Sequence, residues 1–321
     1  MKAAVLINPS AGGADRIRDV CAAIDSFCAG CEVVASEAFG GGLVRADRLL
    51  AADAGARAGY VERLCANVDA LASERPDLYL FAGGDGLAAY AAYRLVRTGH
   101  VRPKLVGVGM GTANVGPIIS FSAGALAESG PERLLFSGCG AVEAFDGAAS
   151  VAFGFNDVVL GNTLLGTVGG VPMTISARDM ARCGKKVPQK PLEDLGDALF
   201  VVRNGVRSPS PLPHTAQIVV SSVERENGFG RAVLGMVCFA YQQCEQAVLL
   251  LCERPLVVLD YDPRGYETPA LSAQLLFGED DAVRIEGLSP DALIVADGNP
   301  YIRKSGPVSF AYRPNVVEIA R

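Results

Sequence analysis

Hydrophobic and polar positions change their period several times along this chain, and the first 120 residues alternate between two patterns. Lys2 to Asn8 is a nearly unbroken apolar run that stops at Asn-Pro, which predicts a short buried strand. From Ala14 to Cys28 the apolar residues Ile17, Val20, Cys21 and Ile24 recur at helical spacing. Glu32 to Ser36 predicts a second strand, and Gly40-Gly41-Gly42 a turn. Tyr60 to Glu74 puts Val61, Leu64, Cys65, Val68 and Leu71 on one helical face, and Pro76 ends it. Leu78 to Phe81 reads as a strand, Leu87 to Arg97 as a helix and Lys104 to Val108 as a strand. Ser122 to Phe136 is expected to be helical with a break at Gly130-Pro131. Strands alternating with helices indicate parallel βαβ units.

The pattern changes near Gly138. Short β-rich runs follow, punctuated by Gly and Pro: Val151 to Phe155, Asp157 to Leu160, Met173 to Ser176, Ala198 to Arg203, Gln217 to Val223, Leu256 to Leu259, Ala282 to Glu286 and Leu293 to Ala296. One stretch, Val237 to Leu251, has helical spacing. The expectation is an N-terminal parallel-sheet α/β domain over residues 1–138 and a β-rich domain, a β-sandwich or a folded sheet, over 139–321, whose C-terminal tail returns to the first. Gly184 to Pro191 and Ser208 to Pro213 read as exposed loops.

Composition narrows the function classes. The chain has 321 residues, half of them hydrophobic, enough to bury two ordinary cores. The longest apolar stretch, Ala247 to Leu259, is interrupted by Glu253, Arg254 and Pro255, so no stable membrane insertion is expected. The N-terminal apolar run is too short for a signal-peptide core, which makes a cytoplasmic protein the expectation. A net charge of −6, with Lys185, Lys186 and Lys190 as the tightest basic cluster, argues against duplex nucleic acid as a partner. Nine scattered cysteines include one Cys-x-x-Cys at Cys28 and Cys31. With two isolated histidines and no second pair, they read as small buried hydrophobes rather than a metal site.

Three strand-to-helix turns carry the candidate chemistry. Ligands of open α/β sheets bind beyond the carboxyl ends of the strands, so the three turns converge if their strands share a sheet. The first is Asn8-Pro9-Ser10-Ala11-Gly12-Gly13, where glycines admit an anion to the backbone and Ser10 adds a hydroxyl. Asn-Pro-Ser is also an ordinary turn. The second is Gly83-Gly84-Asp85-Gly86, a glycine enclosure that brings backbone close to a ligand and sets Asp85 at a helix N-terminus. Its bland reading is a helix cap and a tight turn. The third is Gly107 to Asn114, a failed Gly-x-Gly-x-x-Gly, in which Thr112 and Asn114 could contact a nucleotide.

Asn8-Pro9, Gly83-Gly84-Asp85-Gly86 and Gly111-Thr112-x-Asn114, in this order and spacing, resemble the superfamily of ATP-NAD kinases and diacylglycerol or sphingosine kinases. Phe155-Asn156-Asp157-Val158-Val159 is similar to the Asn-Glu-Val-Val motif of NAD kinases, and Asp297-Gly298-Asn299 to their Asp-Gly motif. Gly111 to Pro117 and the Ser122-Ala-Gly-Ala that follows look most like the branch associated with acetoin catabolism. The resemblance implies a Rossmann-like (phosphofructokinase-like) domain followed by a β-sandwich, the NAD kinase-like fold. It implies ATP and Mg²⁺ as cofactors, with no separate protein-ligated metal.

It further implies Asp85 as the catalytic residue, acting as acid–base or linked to the metal, within a phosphate-holding loop of Gly83, Gly84 and Gly86. ATP contacts are implied at Asn8, Pro9, Ser10, Gly111, Thr112 and Asn114. Asn156 and Asp157 are implied to contact the acceptor's ribose or the nucleotide, and Asp297 is implied to bind the nucleotide with them. The implied activity is phosphoryl transfer from ATP to a hydroxyl, with NAD the default acceptor and a homo-oligomeric enzyme. The alternatives are a lipid or polyol kinase, or a nucleotide-binding regulatory protein without turnover. Three departures stand out: Leu87 occupies the usual Thr position, the Gly-Ser/Thr-Thr-Ala-Tyr segment of NAD kinases is absent, and Asp157 stands in place of Glu, one methylene shorter. On their own residues, Asn156 also reads as a bulge between strands and Asp297 as the turn of an Asp-Gly hairpin.

Overall fold

A computed structural model describes residues 1–55, 58–110, 116–196, 198–223, 246–259, 267–304 and 306–321. The chain forms two compact units, Met1–Cys139 with Asn315–Arg321, and Gly140–Pro314. The strands β6 (Phe136–Asp146) and β19 (Val308–Ala320) carry it from one unit to the other.

The first unit is a parallel sheet flanked by helices. Its strands are β1 (Lys2–Ile7), β2 (Glu32–Ser36), β3 (Arg48–Leu50), β4 (Leu78–Gly83) and β5 (Lys104–Gly109), closed at one edge by the end of β19. The order is β19-β5-β4-β1-β2-β3, and every pairing is parallel. The chain therefore runs outward from β1 to β3 and then crosses back to β4 on the other side of β1. That reversal makes the carboxyl ends of β1 and β4 a topological switch point, where such sheets open a crevice. Residues Ala3 to Ile7 and Leu78 to Ala82 are all buried, as expected for strands covered on both faces.

α1 (Gly13–Phe27) buries Val20, Cys21, Ile24 and Phe27 against Ala3, Val5 and Ile7. α2 (Tyr60–Ser73) buries Leu64, Val68 and Leu71, and α3 (Asp85–Arg97) buries Leu87, Ala88, Ala91 and Leu95. The expected helix over Ser122–Phe136 is corrected to a short α4 (Ala123–Ala127) and one 3₁₀ turn, Pro131–Arg133. Pro131 disfavours helical backbone in the residue before it, and Gly130 is extended at φ −132°, ψ 152°. β3 escapes a reading by periodicity because it is an edge strand with Arg48 and Leu49 exposed.

The second unit is β-rich. One sheet holds β15 (Ser272–Phe277), β14 (Gln246–Cys252), β13 (Gln217–Val223), β8 (Val158–Gly161), β17 (Leu293–Ala296) and β18 (Asn299–Tyr301), in that order and antiparallel. The other contains β12 (Val206–Pro209), β11 (Phe200–Arg203), β16 (Val283–Glu286) and the first part of β19, with β6 paired to β7 (Ala149–Gly154). Val158, Leu160, Ile218, Val220, Leu249 and Ile294 of the first sheet share a core with Val142, Ala152, Ile285, Val308 and Phe310 of the second. This is a sandwich. The first sheet's other face buries Val159, Val219, Leu250 and Val295 beneath a hairpin of β9 (Thr163–Val168) and β10 (Val171–Ser176), and beneath α5 (Ala177–Cys183). Both faces are covered, so all seven residues of β13 are buried.

Two expectations in this unit change. The described part of the stretch expected to be helical, residues 246–251, belongs to the strand β14, which pairs on both sides and buries both faces. Leu256 to Leu259 joins no sheet. Its amides go to side chains instead: Leu256 and Val257 donate to Gln217 Oε1, each at 2.8 Å, and Leu259 to Thr174 Oγ1 at 3.0 Å. No described helix is long and apolar enough to cross a membrane.

Candidate functional site

The site of the first unit is built at the carboxyl ends of β1, β4 and β5. After β1 the chain turns at Asn8, whose N–H donates to Ala82 O on β4 at 2.9 Å. The Asn8 Oδ1 accepts from the Ser10 N–H at 3.1 Å and from the Ser10 hydroxyl at 2.7 Å, an Asx-type turn. The Ser10 hydroxyl, expected to face an anion, thus donates within the turn, while Asn8 Nδ2 has no partner among the described residues. Pro9 and Ser10 are exposed at the tip. Gly12, at φ 80°, enters α1 through left-handed backbone, and a Cβ there would lie 2.6 Å from Met110 O.

β4 ends at Gly83, Gly84 is extended, and α3 begins at Asp85. Asp85 is therefore the first residue of the helix rather than its cap, with Gly84 in the capping position. Its carboxylate lies in the first turn, where the helix dipole favours negative charge. Asp85 Oδ2 accepts from the Gly116 N–H at 3.3 Å, and the Met110 N–H donates to Gly83 O at 2.8 Å. Arg16 of α1 donates from Nη1 to Met110 O at 3.1 Å. The three loops are thus joined mostly through main chain. Gly116 to Phe121 folds back along β5, where Ile118 O would lie 1.9 Å from a Cβ on Gly107. Gly111, Thr112 and Asn114 lie outside the described residues.

Leu87 has a packing role. It is 5 % exposed, and its side chain packs directly over the α-carbon of Gly83. At this position the chain places a residue in the core of α3 rather than a hydroxyl at its surface.

The second unit carries its own polar cluster, at the start of β8. Val158 pairs with Ala296 in an antiparallel register, so the turn that ends β17 falls beside residues 155–157. That turn is Asp297-Gly298, with φ 46° and 75° and with Ala296 opposite Asn299, a two-residue Asp-Gly hairpin. Asp297 is more than a turn residue. Its Oδ2 accepts from Phe155 N at 2.8 Å, and its Oδ1 accepts from Asn156 N at 2.8 Å and Asp157 N at 3.0 Å. Burial, and then the neighbouring Asp157 carboxylate, push the Asp297 carboxyl up to about 8 against the pull of the three amides.

Asn156 and Asp157 are both 8 % exposed. Asn156 donates from Nδ2 to Asp157 Oδ2 at 3.0 Å, and its buried Oδ1 has no partner among the described residues. A buried carbonyl oxygen in that state invites an N–H or O–H donor. Ser221 of β13 donates from Oγ to Asn156 O at 2.8 Å.

Sequence reasoning does not single out Ser221, Arg16 or Gly116. Their signals are thin: a Ser pair inside the apolar run of β13, one Arg early in α1, and a glycine before Pro117. Lys186 reaches only Thr167 O, and Arg313 is committed to Glu143 at 2.7 Å. Cys28 and Cys31 are free thiols, and burial pushes Cys28 up to about 12, far from a reactive thiolate.

No family model matches the chain. An uncharacterized protein of Archaeoglobus fulgidus is 29% identical over 311 residues, covering 94% of this chain and 92% of that one. Among solved structures, yeast NADH kinase complexed with NADH aligns over 100% of this chain and 82% of its own, with a TM-score of 0.52 and 12% identity. The fold is that of the NAD kinases. An Archaeoglobus fulgidus NAD kinase in complex with ATP also aligns, over 100% of this chain and 92% of its own, at a TM-score of 0.46 and 12% identity. At 12% identity the likeness to the yeast enzyme is one of fold alone.

Proposed function

We propose that the chain is an ATP-dependent kinase that phosphorylates a hydroxyl of a small molecule, with NAD as its acceptor. The observation that carries this is the convergence of three glycine-bearing turns at the switch point of the parallel sheet, with Asp85 opening α3 among them. Phosphoryl transfer asks a protein chiefly for positioning and charge stabilisation. Main-chain donors of the turns and the N-terminus of α3 suit the phosphates, and Asn8 Nδ2 adds a side-chain donor.

Mg²⁺ carried mostly by phosphate oxygens and water needs few protein ligands, and Asp85, in the first turn of α3, offers a carboxylate that would reach it through water. When bound, the ion would neutralise charge on the transferring group. Asp85 would take the proton of the attacking hydroxyl as the oxygen bonds to the γ-phosphorus and the bond to the β-phosphate oxygen breaks. Asn156 and Asp157 would hold the acceptor, Asn156 Oδ1 accepting one of its hydroxyl or amine protons.

The test is ADP formation from Mg-ATP with NAD, NADH, lipid and polyol acceptors, comparing wild type with Asp85→Asn. Turnover with NAD that falls by about a hundredfold or more in the variant is the expected result. Turnover on a lipid or polyol instead moves the acceptor and leaves the kinase reading in place. A second reading, nucleotide binding without transfer, is favoured by Leu87, which replaces a hydroxyl with core packing. Tight ATP or NAD binding by calorimetry, with no ADP formed from any acceptor, would select it.

A further inference from the structure

Residues 155–157 are held from two directions by side chains far away in sequence. On the amide side, the Asp297 carboxyl takes three consecutive N–H groups, those of Phe155, Asn156 and Asp157. On the carbonyl side, the Ser221 hydroxyl donates to Asn156 O, and the Asp297 N–H donates to Asp157 O at 3.1 Å. The segment lies outside the regular ladder, since β7 has ended at Gly154 and β8 begins at Val158. These bonds therefore replace the ones a strand partner makes elsewhere. They fix the backbone from which the Asn156 and Asp157 side chains leave. The Asn156 Nδ2 bond to Asp157 then turns the Asn156 Oδ1 into a buried acceptor with no partner among the described residues.

We propose that Asp297 is a positioning residue for the acceptor site: it never touches the ligand, but sets Asn156 and Asp157 in the orientation that receives it, with Ser221 as its counterpart across the segment. This rests on the reading that Asn156 and Asp157 contact the acceptor. It departs from the expectation that Asp297 itself binds the nucleotide, because its two carboxyl oxygens are occupied by the protein's own amides. The arrangement is also asymmetric. An Asn at 297 keeps one acceptor oxygen for two of the amides but turns a donor toward the third. An Ala leaves all three buried amides without their partner. Ser221→Ala removes one bond, frees only the Asn156 carbonyl and leaves the Asp297 side untouched.

The experiment measures three quantities on the full chain: NAD affinity by calorimetry, KM and kcat for NAD, and amide hydrogen exchange at residues 155–157. Asp297→Asn is expected to weaken NAD binding and raise KM for NAD about tenfold, and Ser221→Ala about threefold. In both, kcat at saturating NAD and KM for ATP stay within about twofold of wild type, and exchange at 155–157 quickens. If Asp297→Asn proves unfolded by its thermal transition, the milder Ser221→Ala decides alone. Faster exchange with unchanged NAD affinity overturns the positioning role and leaves the acceptor reading standing. Equal losses in KM for NAD and ATP, or a loss confined to kcat, overturn it as well. If wild type binds no NAD while exchange at 155–157 still responds to both variants, the acceptor reading has failed and the proposal falls with it.

Discussion

The two units build their candidate sites by opposite means. In the first, the turns after β1, β4 and β5 are joined mostly through main chain: Asn8 to Ala82, Met110 to Gly83, and Gly116 to the Asp85 carboxylate. In the second, one side chain, Asp297, gathers three amides from a segment far earlier in the chain, with distances of 2.8, 2.8 and 3.0 Å. A loop organised by backbone depends on glycines and on where strands end. A loop organised by a buried carboxyl depends chiefly on that carboxyl and its protonation, with Ser221 holding the carbonyl side. Substitutions should therefore disturb the first site through shape and the second through chemistry.

The largest expected effect tests the shape half. Gly107→Ala places a Cβ 1.9 Å from Ile118 O, and the next atoms it meets, Ile118 C and Ile119 Cα, are backbone too, so nothing there can swing aside. The return of residues 116–121 along β5 must shift, at a cost of about 3 kcal/mol or more. Because Gly116 holds Asp85, turnover with NAD should drop by more than about tenfold even where the chain still folds. Thermal unfolding and ADP formation check this together. Wild-type stability and activity in the Gly107→Ala variant would mean that the main-chain frame of the first site is far softer than its distances indicate.

Leu87 gives the next largest effect, and it separates packing from phosphate contact. Leu87→Thr restores the residue found at this position in the resembling kinases. Here, however, the side chain is 5 % exposed and lies over Gly83. Losing apolar burial and hiding a hydroxyl should cost about 2–3 kcal/mol in urea unfolding. If Leu87→Thr instead raises kcat with little loss of stability, the hydroxyl reaches the phosphates, and the core reading of position 87 is wrong.

How much of this is legible in the sequence follows the same division. The first site announces itself because its determinants are local. A strand, a glycine turn and a helix are contiguous, and Gly83-Gly84-Asp85-Gly86 carries all three within a few residues. The parallel sense of β1, β4 and β5 follows from the alternation, whereas their being neighbours shows only in the folded sheet. The second site is half legible. Asp297-Gly298 can be read as a hairpin turn, and it is one, but nothing near residue 297 shows that its carboxyl reaches Phe155. That fact exists only once Val158 and Ala296 are paired. Ser221 is hidden for the same reason, as a polar residue in a strand buried on both faces. Leu256 to Leu259 misleads in reverse. Its apolar pattern suits a strand, but Gln217 and Thr174 side chains take the amides a ladder would have used.

The second unit also predicts a pH dependence of two signs. The unfolded chain releases the Asp297 proton near an ordinary Asp value of about 4, whereas the folded chain retains it to about 8. Between those values the folded state binds more protons, so stability falls as pH rises, and the change ends above the folded value. Asp297→Asn should flatten this limb in urea titrations run from about pH 5 to about pH 9, whatever it costs in absolute stability. A slope that survives the substitution would assign the titration to another group and remove the chemical half of the contrast.

The smallest effect comes from a carboxylate of the same unit with the opposite sign. Asp281 accepts from Arg203 Nη2 at 2.9 Å, from Asn204 Nδ2 at 2.7 Å and from Gly278 N at 2.8 Å. The Arg203 bond, with the Gly278 and Asn204 bonds behind it, holds the Asp281 carboxyl down at about 2. Its stabilisation is complete above the unfolded value of about 4 and is lost as pH falls toward about 2. Arg203 is 45% exposed, so solvent screening keeps the effect to about 1 kcal/mol. Asp281→Asn should remove that acid limb and leave the decline above about pH 5 intact, while Asp297→Asn does the reverse. If the two variants altered the same limb, Asp297 would be titrating as an ordinary ion-paired carboxylate, and the second site would be held by charge rather than by a buried acid.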